Sequence, residues 1–106
     1  MADVWWLQQT DATDDELWKH GLSIDDAIDV VEAREFRTFR DPKNTKRRFM
    51  IGRNRQGRLL TFVIEPVNDK GDCRLITGWP SDQAETTLFF RQGGSRYAGQ
   101  APPPES

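Results

Sequence analysis

The chain has 106 residues, which suits one small domain, and 36% hydrophobic with 30% charged residues is a globular composition. Charge interrupts the apolar segments before they approach the roughly 20 positions that a membrane span needs, and Met1–Trp6 lacks the basic start of a secretory signal, so a cytoplasmic protein is predicted. The net charge of −2 argues against nucleic-acid binding by bulk charge, so any such binding must be local.

Two short helices are predicted near the N-terminus. Thr13 and Glu16 have the spacing of a capping box at the start of the first helix, and Gly21 ends it. Ser23 is the predicted N-cap of the second helix, whose apolar stripe consists of Ile24, Ala27, Ile28 and Val31. The segment Val4–Leu7 is predicted to be a short strand or an apolar clasp, with its two indoles mostly buried.

The hydrophobic period changes to two at residue 35, which predicts strands. The four predicted strands are Glu35–Arg40, Lys46–Arg53, Arg58–Glu65 and Asp72–Trp79, and their connections favour an antiparallel sheet. On the second strand Phe49 and Ile51 are expected to be buried, while the opposite face would expose Arg48, Met50 and Gly52. The lone Cys73 is expected to be a small core residue.

A last helix is predicted to open at Ser81–Glu85 and to close at Gly93–Gly94. Residues 1–94 would then form a single α+β domain with two N-terminal helices, a four-stranded antiparallel sheet and one C-terminal helix. Residues 95–106 include three consecutive prolines and are predicted to be a disordered or extended tail.

Charge is segregated along the chain. Residues 1–33 carry nine acids against Lys19, a balance of −8, whereas residues 34–58 carry ten Lys or Arg against Glu35 and Asp41, a balance of +8. Two interpretations stay open: the acidic helices fold against the basic strands and neutralise them, or the strands present a positive face to nucleic acid or to an acidic partner.

Four motifs in this order resemble the BrnT family of toxins from type II toxin–antitoxin systems. They are Lys19–Ser23 followed by Asp26-Ala27, then Arg48–Arg53, Gly57–Leu60 and Arg74–Thr77, and the resemblance spans roughly residues 4–90. It implies a RelE-like fold, metal-independent RNA cleavage and inhibition by a cognate antitoxin. The chain departs from the family at two positions, where Trp79 stands in place of an arginine and Phe89 in place of an aromatic hydroxyl.

Metal-free RNA cleavage needs a group that moves protons and cations that stabilise charge on the phosphate. The candidate catalytic residues are His20, Arg48 and Arg53. The candidate RNA-binding residues are Lys19, Arg47, Arg58, Arg74 and Trp79. Each has an ordinary alternative: His20 as a helix cap, the arginines as solvated or paired cations, and Trp79 as a core residue. No metal-ligand spacing or glycine-rich phosphate loop occurs in the sequence, so neither a metal nor a cofactor is predicted.

Two functions from different classes therefore remain. The first is a ribonuclease toxin held inactive by its antitoxin. The second is a non-catalytic module of the same fold that holds an acidic protein partner on its basic sheet, which the substitutions Trp79 and Phe89 favour. RNA is a possible ligand in either case.

Overall fold

The computed structural model describes residues 4–96, with side chains described as far as Arg91. The elements in chain order are β1 (Trp6–Gln8), α1 (Asp11–Trp18), α2 (Ile24–Ala33), β2 (Arg37–Arg40), β3 (Arg48–Arg53), β4 (Leu59–Pro66), β5 (Asp72–Pro80) and α3 (Gln83–Arg96). The α+β class is as predicted. None of these helices is long and apolar enough to cross a membrane.

The sheet has five strands in the order β1-β5-β4-β3-β2. Strands β2 to β5 form the predicted antiparallel meander, with β4 at its centre. The prediction of a purely antiparallel four-stranded sheet is wrong at one edge, because β1 pairs with β5 in parallel and places Leu7 opposite Cys73. This edge is reinforced by the carbonyl of Gly71, which accepts hydrogen bonds from the backbone N–H groups of Trp5 and Trp6.

The core lies between the sheet and helices α1 and α2, on what we call the helical face. Leu17 of α1 and Ala27 and Val30 of α2 are fully buried there against Met50 and Phe62. A hydrogen bond also holds α1 beside β5, since the hydroxyl of Thr13 donates to the carbonyl of Leu75 at 3.0 Å. Cys73 is buried in this core, as predicted.

The expectation for the two faces of β3 is wrong in part. Met50 and Gly52, predicted to be exposed, are buried in the core beneath α2, and Ile51 is also fully buried. The cause is the close approach of α2: a Cβ atom at Gly52 would lie only 2.8 Å from Cγ1 of Val30. Both faces of this strand are covered because α3 packs over β2 and β3 on the opposite face, which we call the α3 face.

The two N-terminal indoles are exposed rather than buried, which corrects the predicted clasp. Trp5 and Trp6 are 60% and 65% exposed, whereas their neighbours Val4 and Leu7 are buried. The guanidinium of Arg34 lies 3.7 Å from the centroid of the Trp5 ring and stabilises it from outside by a cation–π contact.

The helix ends differ from the predicted ones. The N-cap of α1 is Thr10, which forms a capping box with Thr13, so the predicted box between Thr13 and Glu16 is wrong and the Glu16 side chain is available for other contacts. Helix α3 is capped by Asp82 and continues through Gly93 and Gly94 to Arg96, beyond the predicted end. Residues 97–106 of the predicted tail lie outside the described residues.

The acidic helices do not neutralise the basic strands. Asp29 of α2 pairs with Arg55 at 3.2 Å, and Arg55 lies in the turn between β3 and β4, outside the strands. The cations of the β2–β3 hairpin make no ion pair with the described residues, and two of them, Arg40 and Arg48, stand directly opposite each other.

Candidate functional site

The α3 face carries a row of side chains that crosses four strands. The pairing register places Trp79 of β5 beside Thr61 of β4, Ile51 of β3 and Arg37 of β2. Helix α3 covers the β2 and β3 end of this row, where Phe89 is buried. The β5 end adjoins α1, because β1 pairs with the first residues of β5 only and α1 flanks the remainder.

His20 reaches this end of the row from the turn after α1. Its backbone N–H donates to the carbonyl of Leu17, whose buried side chain fixes the turn, and Gly21 continues the turn at a φ of +73° that suits glycine. The His20 ring meets the Trp79 ring edge-on, with 6.4 Å between centroids. The predicted catalytic histidine and the predicted RNA-stacking tryptophan are therefore brought together.

Glu16 connects His20 to the sheet. Its carboxylate lies 3.8 Å from Nε2 of His20 and accepts a hydrogen bond of 3.3 Å from the hydroxyl of Thr77. The side chains of Glu16 and His20 are each 39% exposed, so both groups are accessible from solvent. Glu16 was not among the predicted site residues, although it stands one helical turn before His20 and side chains at this spacing can interact.

Trp79 is held in place by Glu85 of α3. The indole N–H donates to both oxygens of the Glu85 carboxylate at 2.9 and 3.0 Å, and the hydroxyl of Thr61 donates to the same group at 3.0 Å. The carboxylate also accepts the backbone N–H of Asp82, which closes the capping box of α3. One carboxylate thus fixes a strand residue and a helix start together, and its signal in the sequence was the Asp82-x-x-Glu85 spacing.

A groove of about 380 Å³ beside Glu16 is lined by Arg74, Thr77 and Thr13. Arg74 pairs with Glu65 at 3.1 Å, and Lys19 pairs with Glu16 at 3.5 Å. Along the β5 edge, Lys19 and His20 thus contact Glu16 directly, Trp79 contacts His20, and Arg74 shares the groove with Glu16. These are four of the eight candidate site residues.

The other four candidate residues, all arginines, lie elsewhere. Arg53 is on the α3 face, where its guanidinium lies 5.6 Å from the ring centroid of Phe89 and 5.2 Å from that of Phe90. Arg48 lies five residues earlier on β3 and therefore projects to the opposite face from Arg53. Arg47 precedes β3, and Arg58 is exposed in the turn before β4.

The predicted catalytic set is consequently not assembled as one cluster. His20 lies at the β5 edge, Arg53 shares its sheet face two strands away at β3, and Arg48 faces the other way. Adjacent strands are about 4.8 Å apart, so two strand spacings separate β5 from Arg53 on the α3 face. No group of three or more potential metal-ligating side chains occurs among the described residues.

Comparison with solved structures shows similarity to a ribonuclease toxin. The crystal structure of the Brucella abortus ribonuclease toxin BrnT matches with a TM-score of 0.54 at 16% sequence identity, over 78% of this chain and 100% of that one. The sequence itself matches no protein-family model and no curated protein. The resemblance that the motifs indicated is confirmed at the level of the fold: this chain has the BrnT-like fold.

Proposed function

We propose that this protein is the toxin of a toxin–antitoxin pair and that it cleaves RNA without a metal ion. The observation that carries the proposal is the placement of His20 between the Glu16 carboxylate and the Trp79 ring, on the fold of a ribonuclease toxin. This puts a residue that can move protons beside an aromatic surface that can hold a base.

In the proposed reaction the ribose 2′-oxygen attacks the adjacent phosphorus atom and the bond from phosphorus to the 5′-oxygen breaks. His20 carries out one of the two proton transfers, either taking the 2′-hydroxyl proton or protonating the leaving 5′-oxygen, and water carries out the other. Glu16 holds the imidazole in position. Lys19 and Arg74, which are paired with carboxylates in the free protein, would turn to the phosphate and stabilise its developing charge.

Trp79 supplies affinity by stacking. Its ring is half-buried and fixed by Glu85, so a base can stack on it at little cost in side-chain entropy. Stacking on an aromatic side chain contributes about 1–3 kcal/mol per base. In this proposal the tryptophan takes over substrate binding from the cation that the BrnT family carries at this position.

The partner in this proposal is a cognate antitoxin protein, and the place of action is the cytoplasm, where cellular RNA is available. An inhibitor that covers the β5 edge would block access to His20 directly.

The test is RNA cleavage by the purified protein, with and without a chelator. We expect His20→Ala to lower the cleavage rate by about 10² or more and Glu16→Gln to lower it less, because loss of a general acid or base typically costs 10²–10⁴ in rate. Gln56→Ala, in the exposed β3–β4 turn, is the control. Cleavage that is unchanged in His20→Ala, or that the chelator abolishes, would contradict the mechanism.

A second candidate function is favoured by the unpaired cations of the β2–β3 hairpin. Like charges directly opposite each other destabilise a sheet, so the pair of Arg40 and Arg48 favours an external anion as its ligand. In this alternative the protein is a non-catalytic module that binds an acidic protein segment at the hairpin. Arg40→Glu with Arg48→Glu would then abolish partner binding, whereas His20→Ala would leave it intact.

A further inference from the structure

An apolar groove opens on the surface away from the candidate site, between β1 and α2. Trp5, Trp6, Ile28 and Val31 line it, and its volume is about 190 Å³. Its two indoles are the ones left 60% and 65% exposed, although a tryptophan normally buries most of its area. The contact between Arg34 and Trp5 holds one wall of the groove in place.

Acidic side chains border this groove on one side. Asp25, Ile28, Asp29 and Glu32 have the i, i+3, i+4, i+7 spacing of one helix face, so α2 presents a stripe in which Ile28 stands among three carboxylates. A second, polar depression of about 460 Å³ lies along the same stripe and shares Ile28 and Glu32 with the apolar groove. The two depressions are therefore one continuous surface, which we call the indole–acid surface.

The carboxylates of this surface have few partners inside the chain. Asp29 pairs with Arg55, but Asp25 and Glu32 make no hydrogen bond or ion pair with any side chain that the structure describes. The surrounding region has the same sign, because residues 4–33 carry eight acids and one lysine. The indole–acid surface therefore combines exposed apolar side chains with carboxylates that have no described partner.

We propose that the indole–acid surface is a docking site for a basic, apolar segment of a protein partner. Apolar side chains of that segment would fill the groove over Ile28, and its Lys or Arg side chains would pair with Asp25 and Glu32. Exposed indoles add affinity for such cations through cation–π contacts. Nucleic acid is the wrong ligand here, because its phosphates would meet the acidic stripe.

This inference goes beyond the proposed ribonuclease activity and does not depend on it. The docking surface is built from β1 and the outer side of α2, whereas the candidate site lies on the α3 face at the β5 edge. A partner on the indole–acid surface would be basic, in contrast to the acidic partner that the β2–β3 hairpin would select.

The test uses two amphipathic helical peptides with the same leucine positions, one with lysine and one with glutamate at all polar positions. Each is titrated into the full chain by calorimetry. Two substitution pairs with equal charge change are compared: Asp25→Asn with Glu32→Gln on the surface, and Asp11→Asn with Asp15→Asn on α1, whose carboxylates likewise have no described partner. Trp6→Ala is compared with Trp18→Ala, which removes an indole that is 77% exposed outside the groove.

We expect the lysine peptide to bind saturably and the glutamate peptide not to bind. The affinity for the lysine peptide should fall tenfold or more in Asp25→Asn with Glu32→Gln and in Trp6→Ala. It should fall by less than about threefold in the two control variants. Equal losses of affinity in the two substitution pairs would mean that the peptide responds only to the net charge of the protein, and this would overturn the proposal. Failure of the lysine peptide to bind the unaltered chain would overturn it as well, and neither result bears on RNA cleavage.

Discussion

At the scale of single residues, Glu85 joins two strands of the sheet to the start of α3 near the candidate site. Its carboxylate accepts from the Trp79 indole, the Thr61 hydroxyl and the Asp82 backbone. The hydroxyl also meets Ser81 Oγ at 2.8 Å, but among the described residues the indole N–H donates to Glu85 alone. A buried donor that loses its partner costs about 1–3 kcal/mol, and a lost helix cap costs about 1 kcal/mol. Stability and the orientation of Trp79 are thus coupled through one group.

We therefore predict that Glu85→Gln lowers the unfolding free energy by about 2 kcal/mol. The amide can still accept but no longer carries the charge that strengthens these hydrogen bonds. For a domain of this size the melting temperature should fall by roughly 8–16 °C in a thermal scan. Glu32→Gln, the same chemical change at a carboxylate without a described partner, should stay within about 0.5 kcal/mol. Equal melting temperatures for the two variants would show that Glu85 is not structural.

Sequence reasoning found part of this site and missed the rest for identifiable reasons. His20 and Trp79 stood out as residue types with distinctive chemistry, and the structure brings them together. Glu16 and Glu85 were taken for helix-start acids, because in sequence a capping carboxylate and a site carboxylate look alike. Only the tertiary contact with Thr77 and Trp79 separates the two roles.

At the scale of elements, the meander was predictable and the edge strand was not. Strands β2 to β5 are long enough to show their period and are joined by short turns, so pairing follows from local sequence. Strand β1 has three residues, too few for a period, and its partner β5 begins at residue 72. Phe49, predicted to be buried, is only half-buried, whereas Met50 is buried because α2 packs on its face of β3.

The packing of α2 on β3 yields a prediction at Gly52. An added methyl group would lie 2.8 Å from Cγ1 of Val30 and 3.1 Å from the Cα atom of Phe36, and the second contact is with backbone that cannot rotate away. We expect Gly52→Ala to cost about 1–3 kcal/mol, seen as a lower urea midpoint at unchanged slope. Gln56→Ala in the adjacent turn serves as the control, and an unchanged midpoint for Gly52→Ala would mean that α2 packs less closely.

At the scale of the whole molecule, the charge segregation of the sequence is kept in three dimensions. Acidic α1 and α2 cover the helical face, while unpaired arginines and lysines occupy the β2–β3 hairpin and the α3 face. A molecule with a net charge of only −2 can therefore attract a polyanion on one side. The neutralising interpretation of the sequence fails because the hairpin cations, including Arg48 on the helical face, make no ion pair with the described residues of the acidic helices.

This arrangement predicts a salt-dependent RNA affinity that depends on which arginine is removed. Arg53→Ala, on the α3 face, should weaken binding to RNA of any sequence and reduce the slope of log affinity against log salt by about 0.7–1 unit. Arg55→Ala, two residues away but paired with Asp29 on the acidic side, should leave the slope unchanged. Filter-binding titrations between low and moderate salt measure both, and identical slopes for the two variants would place RNA elsewhere.

The parallel pairing of β1 with β5 has a consequence for the order of assembly during synthesis. Leu7 meets Cys73 only after nearly all of the sheet has left the ribosome, so the first strand to be made is the last to dock. Helix α1 also docks late, because the Leu75 carbonyl that accepts from Thr13 belongs to β5. His20 follows α1 and therefore reaches its final position only after β5 has been made. A nascent or truncated chain that ends before β5 therefore carries His20 and Glu16 without the Trp79 ring and without the Thr77 hydroxyl that donates to Glu16, and we expect it to be inactive until β5 is translated.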